Sequence, residues 1–138
     1  MEDSPQIETL MLADYAEVVA GKLYIMGGAW DRLAVRDPAQ PIRLAIGLGI
    51  LVPWNGTNQT HELRLTIEDA DSVSHGTLVQ TSFVAGRPPD LKPGSNQRVL
   101  LAVNSLMPAS DPGEYAIVAA IDGVEHRRVA FTVIHTPA

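Results

Sequence analysis

The chain has 138 residues, 46% of them hydrophobic and 19% charged, a composition that fits one globular domain over residues 1–138 and excludes a disordered chain. Ten Lys and Arg stand against 16 Asp and Glu, and the net charge of −6 repels phosphate backbones and anionic lipid, so neither nucleic acid nor membrane is an expected partner. The absence of cysteine excludes disulfides, thiolate metal sites and cysteine nucleophiles, and no cofactor is expected.

The start, Met1-Glu2-Asp3-Ser4-Pro5, is acidic where a secretory signal would be basic. No apolar run approaches the roughly 20 residues of a membrane span, which points to a cytoplasmic address. Short apolar stretches then alternate with Pro, Gly, Asn and Asp clusters without a sustained 3.6-residue period, so the chain reads as all-β with about eight strands.

Ile7 to Tyr15 and Leu23 to Gly28 are the first two predicted strands. Gly27-Gly28-Ala29-Trp30 ends the second, without the Lys and following helix of a phosphate loop, and its tight context suggests a packed indole. Ile42 to Val52 carries the clearest alternation. Ile42, Leu44, Ile46, Leu48, Ile50 and Val52 form a core face, opposite Arg43, Ala45, Gly47, Gly49 and Leu51. That second face is unusually small. Glycines inside a strand mark either a twist or bulge, the preferred reading here, or the close approach of another backbone or a ligand.

Pro53 to Thr60 is a polar loop around Trp54, and its two Asn-X-Thr sequons read as turn chemistry. His61 to Glu68 alternates again, with Leu63, Leu65 and Ile67 inward, and His61 belongs at the mouth of the core. Thr77 to Val84, the proline-rich loop Gly86 to Gly94, and Gln97 to Leu106 follow.

Glu114 to Ile121 and His126 to Ile134 are the last two predicted strands. A two-residue Asp122-Gly123 loop would pair Ile121 with Val124 and send Val129, Phe131 and Val133 to the face opposite Tyr115, Ile117 and Ala119. Keeping one core face requires a longer turn, or a bulge with Gly123 at positive φ, and the longer turn is predicted. Arg128, Ala130 and Thr132 then face outward with Ala116, Val118 and Ala120, an apolar outward stripe for a solvent-facing strand. Regular strands with short turns argue for a two-sheet sandwich, with an eight-stranded barrel as the alternative closure.

No pattern fixes a chemistry. The histidines at 61, 75, 126 and 135 form no i, i+2 or i, i+4 pair for a metal, and Gly-X-Ser-X-Gly does not occur. Asp69 and Asp71 would serve calcium only if further oxygens converged on them. Trp54 is the better aromatic anchor for a ligand or partner.

Asp111-Pro112-Gly113-Glu114-Tyr115-Ala116-Ile117 resembles the Asp-X-Gly-X-Tyr-X-Cys stretch of immunoglobulin-like domains, with Ile117 in place of the cysteine. The resemblance implies structural roles for Asp111, Gly113, Tyr115 and Ile117, with Tyr115 making a tyrosine corner. Leu12-Ala13-Asp14-Tyr15-Ala16, Gly21 to Asp31, His61-Glu62-Leu63 and Glu68-Asp69-Ala70-Asp71 are together similar to an uncharacterised bacterial family of short single-domain proteins. That likeness implies a fold and no activity. The expected function is therefore a non-enzymatic, immunoglobulin-like β-sandwich that contacts a protein partner or itself, through the stripe at Val118 and Ala130 or through an edge strand. The alternative is a sandwich that binds a sugar or small molecule at Trp54, with calcium at Asp69 and Asp71.

Overall fold

A computed structural model describes residues 4–37, 39–107 and 111–136; the acidic start at Met1 to Asp3 lies outside the described residues. It contains nine strands: β1 (Gln6–Val19), β2 (Lys22–Gly28), β3 (Arg32–Val35), β4 (Ile42–Val52), β5 (Thr60–Asp69), β6 (Ser74–Val84), β7 (Gln97–Met107), β8 (Gly113–Ile121) and β9 (Val124–His135). A 3₁₀ turn, Trp54–Gly56, follows β4. Among the described residues no helix is long and apolar enough to cross a membrane.

The strands form two sheets, β2-β1-β4-β7 and β3-β9-β8-β5-β6, which makes the fold a sandwich rather than a barrel. The alternating faces of β4 and β5 meet between them. Leu44, Ile46, Leu48, Ile50, Leu63, Leu65 and Ile67 are at most 2% exposed, each worth about 1.5–3 kcal/mol of burial. From β8 and β9, Ile117, Phe131 and Val133 join this core. Tyr115 donates its hydroxyl to the Asp111 carbonyl at 2.8 Å, the geometry of a tyrosine corner, so the sandwich is immunoglobulin-like.

One strand is additional to the predicted set. β3 is four residues long and pairs in parallel with β9, so too little alternation exists in Arg32 to Val35 to signal it. Trp30, just before it, packs on the core with its ring edge-on to Phe131 at 5.9 Å.

The last hairpin corrects the predicted turn while keeping the predicted core face. Ile121 does pair with Val124, and Asp122 and Gly123 have φ of 52° and 81°, a two-residue turn of type I′. Parity is repaired further along. Ala120 pairs with Glu125 and Ala119 with Arg127, so His126 is the extra residue of a bulge. Ile117 then faces Val129, and Tyr115 faces Phe131.

The small face of β4 is explained mainly by close approach, with the bulge lying in a neighbouring strand. Residues Gln6 to Ala13 of β1 pair with β4, and the bulge falls between Ile7 and Thr9, opposite Gly49. From Ala13 onward β1 pairs with β2, and this two-stranded ribbon leans over the outer face of its own sheet. Ile25 of β2 reaches across a floor of Ala13, Ala16, Ala45 and Ala102 to Gly47. A Cβ at Gly47 would stand 2.3 Å from Ile25 Cδ1, so any side chain there must push the Ile25 δ-methyl aside. The ribbon is fastened at the far side by Asn104 of β7, whose amide donates to the Ala16 carbonyl at 2.8 Å and accepts the Ala16 N–H at 3.3 Å.

Candidate functional site

The folded ribbon brings its outer residues beside the end of β7. Tyr15 pairs with Met26, and Glu17 with Tyr24, on the ribbon's solvent face. Tyr15, Tyr24, Met26 and Leu106 are 44–59% exposed, which leaves several large apolar side chains uncovered here. A cleft of about 350 Å3 runs between Tyr15, Ala16 and Val18 on one side and Leu100, Ala102 and Asn104 on the other.

β7 is also a sheet edge: its backbone ladder is with β4 alone, and β1 reaches it only through the Asn104 side chain. Its ladder with β4 runs without a shift from Ile42 opposite Met107 to Val52 opposite Gln97. From Val99 to Met107 it carries neither charge nor proline. It thus lacks the devices by which an edge strand is usually blunted. β6, the edge of the second sheet opposite β3, is bulged twice against β5, which twists its free side away.

The residues singled out from the sequence do not converge. Trp54 lies in the 3₁₀ turn, half-buried, with the Arg87 guanidinium 3.6 Å above its ring. Arg87 also donates to the Trp54 carbonyl and to the Thr57 hydroxyl, so one face of the indole is already occupied by the chain itself. His61 is buried at the same end, within hydrogen-bond distance of Asp122 and Gly56. Both ring nitrogens are engaged, which leaves neither free to activate a nucleophile.

Asp69 stands at the other end of β5, roughly 27 Å from His61 at strand rise. Its Oδ1 accepts the N–H groups of Asp71 and Val73, and its Oδ2 meets His75 Nε2 at 2.8 Å. His75, with the Val73 and Asp71 amides, holds the Asp69 carboxyl below its ordinary range, the mark of a carboxylate satisfied within its turn. Among the described residues no three His, Asp or Glu gather as metal ligands. A single ligand site joining Trp54, Asp69 and Asp71 is therefore absent from the fold.

Val118 and Ala130 need a correction as a contact stripe. Val118 does face outward, yet it is only 5% exposed, flanked across the sheet by Thr66 and Arg128. Arg128 pairs with Glu125 at 2.7 Å and Glu68 at 3.6 Å, so a charged layer crosses the expected apolar strip. Ala130 is exposed, but alone it offers a single methyl. Of the corner residues, Tyr115 and Ile117 are buried, Asp111 is exposed and supplies the accepting carbonyl, and Gly113 opens β8 with φ 148°. The ribbon patch escaped sequence reading because Tyr15 and Met26 sit in strands that otherwise look like core. The uncharged run Val99 to Met107 was the available signal for the edge.

A family model, described as a family of unknown function (DUF6941), matches residues 8–134. No curated protein matches the chain. Among solved structures, the chain is similar to the Pseudomonas fluorescens alkylpurine DNA glycosylase AlkC bound to DNA containing an abasic site analog. That match has a TM-score of 0.55 and 10% identity, over 97% of this chain and 31% of the glycosylase, so the chain spans under a third of that protein. An immunoglobulin-like protein from Pseudomonas aeruginosa matches with a TM-score of 0.47 and 13% identity, over 96% of this chain and 98% of that one. At these identities the glycosylase shares a fold with the chain, and nothing of its chemistry follows.

Proposed function

Since the chain belongs to DUF6941, a family of unknown function, its role is read from its own surfaces, and we propose that it is a non-enzymatic sandwich that works by protein–protein contact, self-associating through the free edge of β7. The observation that carries this reading is the unbulged, uncharged stretch Val99 to Met107, with Leu106 exposed within it and Tyr15 and Met26 exposed on the neighbouring ribbon. Two antiparallel copies of β7 about a two-fold axis would join the four-stranded sheets into one of eight. The backbone ladder supplies affinity in such a pairing, and the ribbon's side chains supply selectivity. The net charge of −6 disfavours nucleic acid and anionic membrane as partners.

Light scattering behind size exclusion, over a wide concentration range, tests the reading. A dimer is expected for the native chain and a monomer for Leu106→Lys, which puts a charge on the exposed edge. Val84→Lys, at an equally exposed position on β6, should leave the dimer intact. A native chain that is monomeric throughout, or a dimer indifferent to Leu106→Lys, overturns the proposal.

A further inference from the structure

His61 is the second residue of β5, 5% exposed, with its ring tilted against Phe83 at 5.4 Å between centroids. Its Nδ1 lies 2.8 Å from Asp122 Oδ2, and its Nε2 lies 2.8 Å from the Gly56 carbonyl oxygen. A carbonyl oxygen only accepts, and the carboxylate of Asp122 already accepts the Glu62 N–H at its other oxygen, 2.9 Å away. Neutral imidazole has one N–H, whereas two acceptors face this ring. Imidazolium alone satisfies both.

The two acceptors belong to separate turns. Gly56 closes the 3₁₀ turn that carries Trp54, and Asp122 begins the β8–β9 turn. We propose that His61 is a proton-operated clamp: as imidazolium it ties the Trp54 turn to the β8–β9 turn, and loss of its second proton unties Gly56. Gly56 is the tie that fails because the remaining proton is better held at Nδ1, where the hydrogen bond is to a charged carboxylate. Nε2 and the carbonyl oxygen would then present lone pairs to each other in a buried place.

The surroundings agree with this charge state. Among the described residues, the titratable groups facing the ring are Asp122 and, across a shared cavity of about 490 Å3, His126; Phe83, Gln59 and Ser4 bring none. Arg87 is the cation on the far side of the turn, where it bonds Trp54 and Thr57. Burial pushes the imidazole toward neutrality, but the Gly56 carbonyl and the Asp122 carboxylate outweigh it and hold the ring above its ordinary 6.5. Burial likewise opposes charge on Asp122, yet the Glu62 amide and the two histidines keep it below its ordinary 3.8.

The signs follow from these directions. The His61 contribution to stability is whole below pH 6.5 and is lost as pH rises through its folded-state value. The Asp122 contribution is whole above pH 3.8 and is lost as pH falls through its own folded-state value.

Long-range imidazole NMR on the full chain, recorded across pH, tests the clamp. Two ring protons are expected on His61 at pH 6, with a midpoint above 6.5, and the Gly56 amide and Trp54 indole signals should shift with that same midpoint. Asp122→Asn should lower the midpoint by about one pH unit or more, a tenfold or larger change in proton affinity. A singly protonated His61 at pH 6, a midpoint at or below 6.5, or Gly56 and Trp54 signals that ignore it would overturn the clamp; the native-chain titration decides even if the variant fails to fold.

Discussion

Gly47→Ala places a methyl group where the ribbon lies. The backbone there is ordinary, so the effect is one of space: the new Cβ would be 2.3 Å from Ile25 Cδ1 and 3.2 Å from Leu23 Cδ2. Carbon atoms rest at about 3.5–4.0 Å, so the Ile25 methyl must retreat by more than about 1 Å. Overpacking of this kind costs about 1–3 kcal/mol. The lower end applies because Ile25 is half-buried and its δ-methyl ends a flexible side chain, so about 1 kcal/mol is expected in urea denaturation. Ile25→Val removes the clashing carbon and should cost about 0.5–1 kcal/mol alone. In the double variant the cost of Gly47→Ala should nearly vanish, a coupling of about 1 kcal/mol. Costs that add to within about 0.3 kcal/mol would show that the ribbon does not rest on β4.

Two further outcomes follow from the same architecture. Asn104→Ala removes both bonds to the Ala16 main chain, which is fully buried, so stability should fall by about 1–2 kcal/mol and the Ala16 amide should exchange faster with solvent; unchanged protection there would refute the fastening. Arg87→Ala uncovers the Trp54 ring at a cost of about 0.5–1 kcal/mol, and in a Trp30→Phe background acrylamide should quench Trp54 more strongly; equal quenching would mean the guanidinium does not shield it.

The candidate surface was legible only in fragments. Tyr15 and Met26 look like ordinary strand residues until the ribbon turns their face outward. Val118 looks like an open apolar position until Arg128 and Thr66 close around it. Trp54 and Asp69 look close because one strand joins them, and for that same reason they are far apart: an extended chain moves about 3.4 Å per residue. Asp122 reads as a turn residue and nothing more, since its partners His61 and Glu62 are 61 and 60 positions away.

Alternation of period two is a property of neighbouring residues, and by itself it determined β4, β5, their core faces and the face shared by Tyr115 and Phe131. The parity conflict in the last hairpin was equally visible, because both strands and their turn are contiguous. Only the tertiary structure decided where it is repaired, since the I′ turn is held by Asp122 on β5 and the spare residue is displaced to the partly exposed His126. The order of strands is likewise a relation between distant segments. That order made β7 an edge, laid Ile25 on Gly47 and set His61 between two acceptors, and none of these follows from any window of local sequence.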